Sequence, residues 1–191
     1  ELAKLDITLI MSADERFPKH LREIPTSPFG LYCKGDIACL CGAGIAIVGT
    51  RKASALGLRH AHQFSRLLAT HTSCTIVSGL AYGIDASAHK GAIDAERCTI
   101  AVLPCGLDTV YPESHSGLAM QILKHHGLLV SEYPPPTPTL PYRFLERNRI
   151  VSGLTLGTLV VEAPLVSGAC STAHHALDQN RNVYVIPGPI N

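Results

Sequence analysis

The sequence predicts an α/β fold in which a mostly parallel, twisted sheet carries helices on both faces. From residue 45 onward, short β-branched runs alternate with longer stretches of helical periodicity, and the runs end in Gly, Pro or Ser. This alternation is typical of βαβ units, whose strands are buried on both faces and therefore read as apolar runs. The predicted strands are residues 45–50, 75–79, 99–104, 128–132, 159–163 and 183–187.

The length and punctuation of the chain predict its organisation. With 191 residues, of which 46% are hydrophobic, it can bury one self-sufficient core. We divide it into a lead-in segment, residues 1–44, and a core domain, residues 45–191. Prolines and glycines punctuate the lead-in segment, which we expect to pack at the edge of the sheet. The proline-rich residues 133–141 are expected to form a stiff connector that positions residues 143–149.

A helix is predicted over residues 55–71, where apolar residues at mostly three- and four-residue spacing predict one face that lies on the sheet. These residues are Leu56, Ala61, Phe64, Leu67 and Leu68. A second helix, residues 173–180, is expected to follow the last polar turn of the chain.

Composition restricts the possible functions. The 16 Lys and Arg residues balance 15 Asp and Glu residues to a formal net charge of +1, so any nucleic-acid binding must come from a local patch. The seven cysteines are odd in number and lack paired CxxC motifs, so we expect no metal site and no disulfide framework. No segment approaches the ~20 apolar residues of a membrane span. A reducing cytoplasm is the expected location.

Polar turns follow three of the predicted strands. Because the carboxyl ends of parallel strands meet at one edge, where open α/β sheets bind ligands, we expect these turns to converge. The last turn precedes a helix, so its hydroxyls and free backbone N–H groups suit an anion such as phosphate. The same residue types are ordinary caps and turn formers, which leaves a structural role open. The turn residues are Gly49, Thr50, Arg51, Lys52, Ser78, Gly79, Ser167, Gly168, Ser171 and Thr172.

Arginines strengthen the case for a phosphate ligand. Arg51 directly follows the first core strand, and Arg143, Arg147 and Arg149 cluster after the proline connector. The planar guanidinium donates two parallel hydrogen bonds, which suits phosphate. Phe144 beside them is either a platform on which an unpaired base stacks or a core residue, and the sequence leaves both open.

Several enzyme classes are not favoured. The turn after the first core strand does not read GxGxxG, the chain has no Walker lysine motif, and no serine lies in a GxSxG elbow. Asp85 and His89 have no adjacent nucleophile, so we expect Asp85 to act as a cap or to bond His89. We therefore predict no catalytic residue and no cofactor.

Motifs along nearly the whole chain, from about residue 10, resemble the DNA-processing protein A (DprA/Smf) family. They are RFPKHL (16–21), PFGLYCKG (28–35), IAIVGTR (45–51), VSGLAYGIDASAH (77–89), GLDTVYP (106–112), RNRI (147–150), VSGACSTA (166–173) and VIPG (185–188). The resemblance implies an extended Rossmann-like domain that forms a homodimer and binds single-stranded DNA. It also implies that the protein helps to load the recombinase RecA during natural transformation. No enzymatic activity is implied.

The resemblance assigns DNA contacts to residues 49–51, 78–79, 144–149 and 167–168, and so adds Asn148 to the candidate residues. Two departures from the family pattern limit the transfer. Val166 stands where a lysine is common, and the segment that often reads FP.RNR in the family reads Phe144-Leu-Glu-Arg147 here. Losing that lysine would remove about one phosphate contact from the salt dependence of binding. The N-terminal helical or C-terminal winged-helix-like domain of many members has no counterpart, so we expect the sequence to be part of a longer protein.

Two other functions remain open. The chain is distantly similar to the lysine-decarboxylase-like (LOG) group, which hydrolyses nucleoside monophosphates, but its last phosphate turn offers no glutamate as acid or base. The near-neutral charge also permits a protein that serves only as an assembly platform.

Overall fold

The computed structural model describes residues 2–72 and 74–188. Glu1 of the lead-in segment lies outside the described residues, as do Ser73 and residues 189–191 of the core domain. The described residues form one eight-stranded sheet. The strands predicted from residue 45 onward are confirmed as β3 to β8. The strands are β1 (Thr8–Met11), β2 (Gly30–Gly35), β3 (Gly44–Val48), β4 (Thr75–Ser78), β5 (Thr99–Val102), β6 (Leu128–Ser131), β7 (Gly157–Val160) and β8 (Asn182–Val185).

The topology of the sheet indicates at which edge a ligand is expected to bind. The strand order is β1-β2-β6-β5-β4-β3-β7-β8, and neighbours among β3 to β8 are parallel. The lead-in segment adds β1 and β2 in antiparallel pairing beside β6. The chain runs outward from β3 to β6 and then returns to β7 on the other side of β3. The carboxyl edge beside such a reversal is where α/β sheets bind ligands.

Helices cover both faces of the sheet, which confirms the predicted Rossmann-like α/β fold. Alternate residues of β3 illustrate the two layers, since Ala46 and Val48 belong to the core beneath α5 and α6 whereas Ile47 packs with α2 and α3. The helices are α1 (Lys19–Arg22), α2 (Ala55–Thr72), α3 (Ile84–Asp94), α4 (Ser116–Lys124), α5 (Pro141–Gly153) and α6 (Gly168–Asp178).

The buried face of α2 differs from the predicted one. Leu56, Phe64 and Leu67 are exposed, so their prediction as sheet-facing residues is wrong, whereas Ala61 is buried as expected. Small side chains allow α2 to lie very close to α3, and Ser65 Oγ donates to the Ala88 carbonyl at 2.5 Å. Close helix contact excludes large side chains and moves them to the outside. The buried residues of α2 are Gly57, Ala61, Ser65 and Ala69.

Helix α6 begins earlier than the predicted residue 173. Its first residue is Gly168, and Ser167 is the N-cap, whose hydroxyl accepts a hydrogen bond from Cys170 N at 3.2 Å. Ser171 and Thr172 therefore lie in the early turns of α6 and do not precede it. The apolar periodicity of the sequence begins only after the cap, so the predicted first residue of the helix lies five positions beyond the observed one.

Candidate functional site

A cavity of about 720 Å³ opens at the carboxyl edge, where β3, β4 and β7 end. The loops after these strands and one side of α5 form its walls. Most of the predicted site residues line it, namely Gly49, Thr50, Arg51, Lys52, Gly79, Phe144, Arg147, Asn148, Ser167, Gly168 and Thr172. The structure places the other predicted residues, Ser78, Arg143, Arg149 and Ser171, outside this lining.

The loop after β3 is held tightly on both sides. Thr50 N donates to the Glu162 carbonyl at 2.7 Å, and Ile84 N donates to the Thr50 carbonyl at 3.3 Å. Only glycine fits at position 49, because a Cβ there would collide with Ile84 and approach the Glu162 carbonyl to 2.8 Å. The turn therefore presents Arg51 at the mouth of the cavity.

Glu162 is a positioning residue that sequence reasoning missed. Its carboxylate accepts hydrogen bonds from Ser54 N at 3.1 Å and from Ser54 Oγ at 2.7 Å. The same hydroxyl accepts from Gly57 N at 3.0 Å and so caps the start of α2. Glu162 thus joins the loop after β7 to the far end of the loop that carries Arg51. A carboxylate directly after a buried strand at the ligand edge is the signal that could have identified it.

We expect Glu162→Ala to lower the free energy of unfolding by about 2 kcal/mol, because hydrogen bonds to a charged group are lost and the Ser54 amide loses its partner. Urea denaturation measures the change. The exposed Glu113→Ala is the matched control and should change stability by less than about 0.5 kcal/mol. Equal stability of the two variants would show that Glu162 does not hold the loop.

Arg147 forms the floor of the cavity. It is only 5% exposed, and its Nη1 donates to the carbonyls of Gly79, at 2.8 Å, and of Val102. Burial lowers the Arg147 pKa to about 10, while the nearby Asp85 opposes this shift. Gly79 allows the close approach, since a Cβ there would lie 2.6 Å from Arg147 Nη2. Arg147 thus stays charged at neutral pH and organises the loop after β4.

Asp85 completes this arrangement from the other side. Its Oδ2 accepts hydrogen bonds from Gly79 N at 3.1 Å and Ala81 N at 3.3 Å, so it holds the loop after β4. The expected helix cap is wrong, because Gly83 is the N-cap of α3 and Asp85 lies in its first turn. Burial raises the Asp85 pKa, and Arg147 acts in the opposite direction. The expected bond to His89 is wrong, because His89 Nδ1 lies 2.8 Å from Thr99 Oγ1.

The remaining predicted arginines have protein partners. Arg149 Nη2 lies 2.6 Å from both carboxylate oxygens of Glu132, just beyond β6. Arg143 donates to the Pro138 carbonyl and its guanidinium lies 4.9 Å from the Tyr133 ring centroid. Successive residues of a helix point in different directions, so the arginine cluster of the sequence is dispersed around α5.

The two predicted serines outside the lining lie within the fold around the cavity. Ser78 is buried, and its hydroxyl donates to the Ile47 carbonyl at 2.7 Å. Ser171 N donates to the Ser167 carbonyl at 3.1 Å within α6.

The wall opposite the loops combines aromatic and polar groups. The Arg51 guanidinium lies 5.1 Å from the Phe144 ring centroid, and Tyr111, which sequence reasoning missed, lies edge-on to the same ring at 5.3 Å. Asn148 Nδ2 donates to the Gly168 carbonyl at 3.1 Å. The start of α6 faces the cavity, and the backbone N–H groups of Gly168 and Ala169 there precede the first helical hydrogen bond, whereas Cys170 N is capped by Ser167. Such a site can receive an anion next to a planar apolar group.

Within residues 2–72 and 74–188, no three His, Cys, Asp or Glu side chains converge in a way that could hold a metal ion. None of the helices in the same residues combines the length and apolar character needed to cross a membrane.

The chain is similar to proteins of one family. A family model for DNA recombination-mediator protein A matches residues 8–191. Protein Smf of Escherichia coli (strain K12) is 45% identical over 182 residues, which cover 95% of this chain and 48% of that protein. The chain therefore spans about half the length of this relative.

Two solved structures share the fold. DNA processing protein A (DprA) from Streptococcus pneumoniae has a TM-score of 0.90 and 36% identity, over 99% of this chain and 66% of that one. DNA processing protein A from Helicobacter pylori, whose structure concerns a single-stranded DNA binding mode, has a TM-score of 0.86 and 32% identity. This match covers 97% of the present chain and 82% of the Helicobacter pylori chain.

Proposed function

The chain belongs to the DNA recombination-mediator protein A family, and on that premise we propose that it binds single-stranded DNA in the cavity at the carboxyl edge. The observation that carries the proposal is the combination of Arg51, the Phe144 ring and the start of α6 around one cavity of about 720 Å³. The single-stranded DNA binding mode of the Helicobacter pylori relative supports it.

Each part of the cavity suits one part of a nucleotide. The exposed side chains of Arg51 and Lys52 and the first turn of α6 provide positive potential for phosphate. Phe144 provides a face on which a base can stack, and stacking on an aromatic ring accepts every base. Duplex DNA keeps its bases stacked on each other, so only an unpaired strand can use this wall.

The proposed DNA contacts fall into two groups. The cavity residues are proposed to contact DNA directly, with Arg147 acting mainly on the loop after β4. Arg143, Arg149 and Ser78 are proposed to support the fold around the cavity, because the side chain of each is held by a protein partner. Ser171 is proposed to support the start of α6, where its backbone N donates to the Ser167 carbonyl. Among the basic residues that line the cavity, Arg51 and Lys52 therefore carry the exposed positive charge.

Fluorescence anisotropy with labelled oligo-dT and with a duplex of equal length, at two salt concentrations, tests the function. We expect tighter binding of the single strand and weaker binding at higher salt, with log K falling by about 0.7 per phosphate contact for each unit of log salt. Equal binding of both forms, or none of either, would contradict the proposal.

We propose further that the protein is not an enzyme. Asp85 is the acidic residue in the cavity lining and Glu162 follows β7 beside it, and both carboxylates accept hydrogen bonds from backbone N–H groups. A carboxylate held in this way is poorly placed to transfer a proton to or from a substrate. The placement of these two carboxylates also disfavours the nucleoside monophosphate hydrolysis of the LOG group.

Family membership supports three other proposals, namely a homodimer, a role in loading RecA during natural transformation, and a location in the cytoplasm. The homodimer has one structural support. Edge strand β8 and the end of α6 expose the apolar side chains of Leu177, Tyr184 and Val185. Neighbouring exposed apolar residues of this kind mark protein interaction surfaces.

A further inference from the structure

We propose that Tyr82 and Tyr111, together called the aromatic ledge, form a second subsite that stacks a nucleobase next to the nucleotide held in the cavity. The proposal rests on the proposed function, since it extends the path of the same DNA strand. The ledge belongs to the loops after β4 and β5, whereas the cavity wall with Phe144 belongs to α5.

The ledge is continuous with the cavity. Tyr111 lines the cavity and is 40% exposed, and its ring meets Phe144 edge-on, at 69° between the ring planes. A shallow depression joins it to Tyr82 and has Arg51 on its rim. Arg51 thus lines both the cavity and the depression, so a phosphate that links two stacked bases would meet a guanidinium there.

Tyr82 is exposed yet held in one orientation. It is 46% exposed, its hydroxyl lies 2.7 Å from Ser114 Oγ, and its ring packs edge-on against His115 at 4.8 Å. His115 Nδ1 in turn bonds the Leu80 carbonyl at 2.9 Å. An aromatic ring that is fixed before binding loses little conformational freedom when a base stacks on it.

The chemistry of the ledge favours a base over a phosphate. Two tyrosine rings present apolar faces, and the only cation lining the depression is Arg51, within the part of the chain that the structure describes. Unpaired bases stack on such rings, whereas a phosphate needs several donors. The ledge therefore predicts that binding strengthens as the strand extends beyond the cavity.

Anisotropy with short oligo-dT strands tests the subsite. Tyr82→Leu and Tyr111→Leu keep apolar bulk but remove the ring, and each should weaken binding on the order of tenfold. Tyr82→Phe and Tyr111→Phe keep the ring and should recover most of the affinity that the leucine variants lose. The control Phe64→Leu, on the exposed face of α2, should bind like the wild type. An abasic site scanned along a strand bound by the wild type should show two sensitive neighbouring positions, a readout that requires no variant.

The outcomes separate the ledge from the cavity. If both leucine variants bind like the wild type and the abasic scan shows one sensitive position, the ledge is wrong while DNA binding in the cavity stands. If Phe144→Leu weakens binding but the ledge variants do not, the conclusion is the same. If the wild type binds no single strand at all, the proposed function and the ledge both fail.

Discussion

Arg51→Glu is expected to weaken the binding of single-stranded DNA by roughly a hundredfold at low salt, or about 3 kcal/mol, the upper range for a hydrogen bond to a charged group. Arg51 is exposed at the mouth of the cavity, and within residues 2–72 and 74–188 it forms no ion pair. Its charge is therefore available to phosphate. The slope of log K against log salt should fall by about 0.7, because one contact is lost. Anisotropy titrations at several salt concentrations measure both effects.

Arg59→Glu provides the matched control. It makes the same change in net charge on the exposed surface of α2, away from the cavity lining. If the two variants bind equally, the effect is one of overall charge and the cavity is not the binding site. Arg149→Glu should behave differently from both, because it breaks the ion pair with Glu132. We expect it to lower the stability of the fold and not to act directly on DNA binding.

Arg147→Leu is expected to lower the free energy of unfolding by about 3–5 kcal/mol, the range for removing one partner from buried opposite charges. The change leaves the carbonyls of Gly79 and Val102 without their donor and the buried Asp85 carboxylate without the neighbouring positive charge. Urea denaturation measures the loss, and an unchanged m value would show that the unfolding transition remains comparable.

Two further variants distinguish this explanation from a general loss of packing. Arg66→Leu replaces an exposed arginine of α2 and should change stability by less than about 0.5 kcal/mol. Adding Asp85→Asn to Arg147→Leu should recover part of the loss, because no unpaired charge is then buried. If the double variant is less stable than Arg147→Leu, the charge interaction between Asp85 and Arg147 is not the cause.

The strands and ligand edge were accessible to sequence reasoning because their signals are local. Apolar β-branched runs predicted β3 to β8, and the polar turns after β3, β4 and β7 predicted where the cavity opens. Strands β1 and β2 were not predicted, since they are short and lie among prolines and glycines. The buried face of α2 was predicted wrongly, because the small residues that contact α3 carry a weaker hydrophobic signal than Phe64.

Local pattern thus establishes that this chain builds a parallel sheet and that arginines and phosphate-type turns reach its carboxyl edge. Tertiary contacts decide which of these charges remains available. Arg147 is drawn to the carbonyl of a residue 68 positions away and Arg149 to a carboxylate 17 positions away, whereas Arg51 stays at the cavity mouth. An arginine in a sequence is a donor without an assigned partner, and only the folded chain brings the competing acceptors within reach.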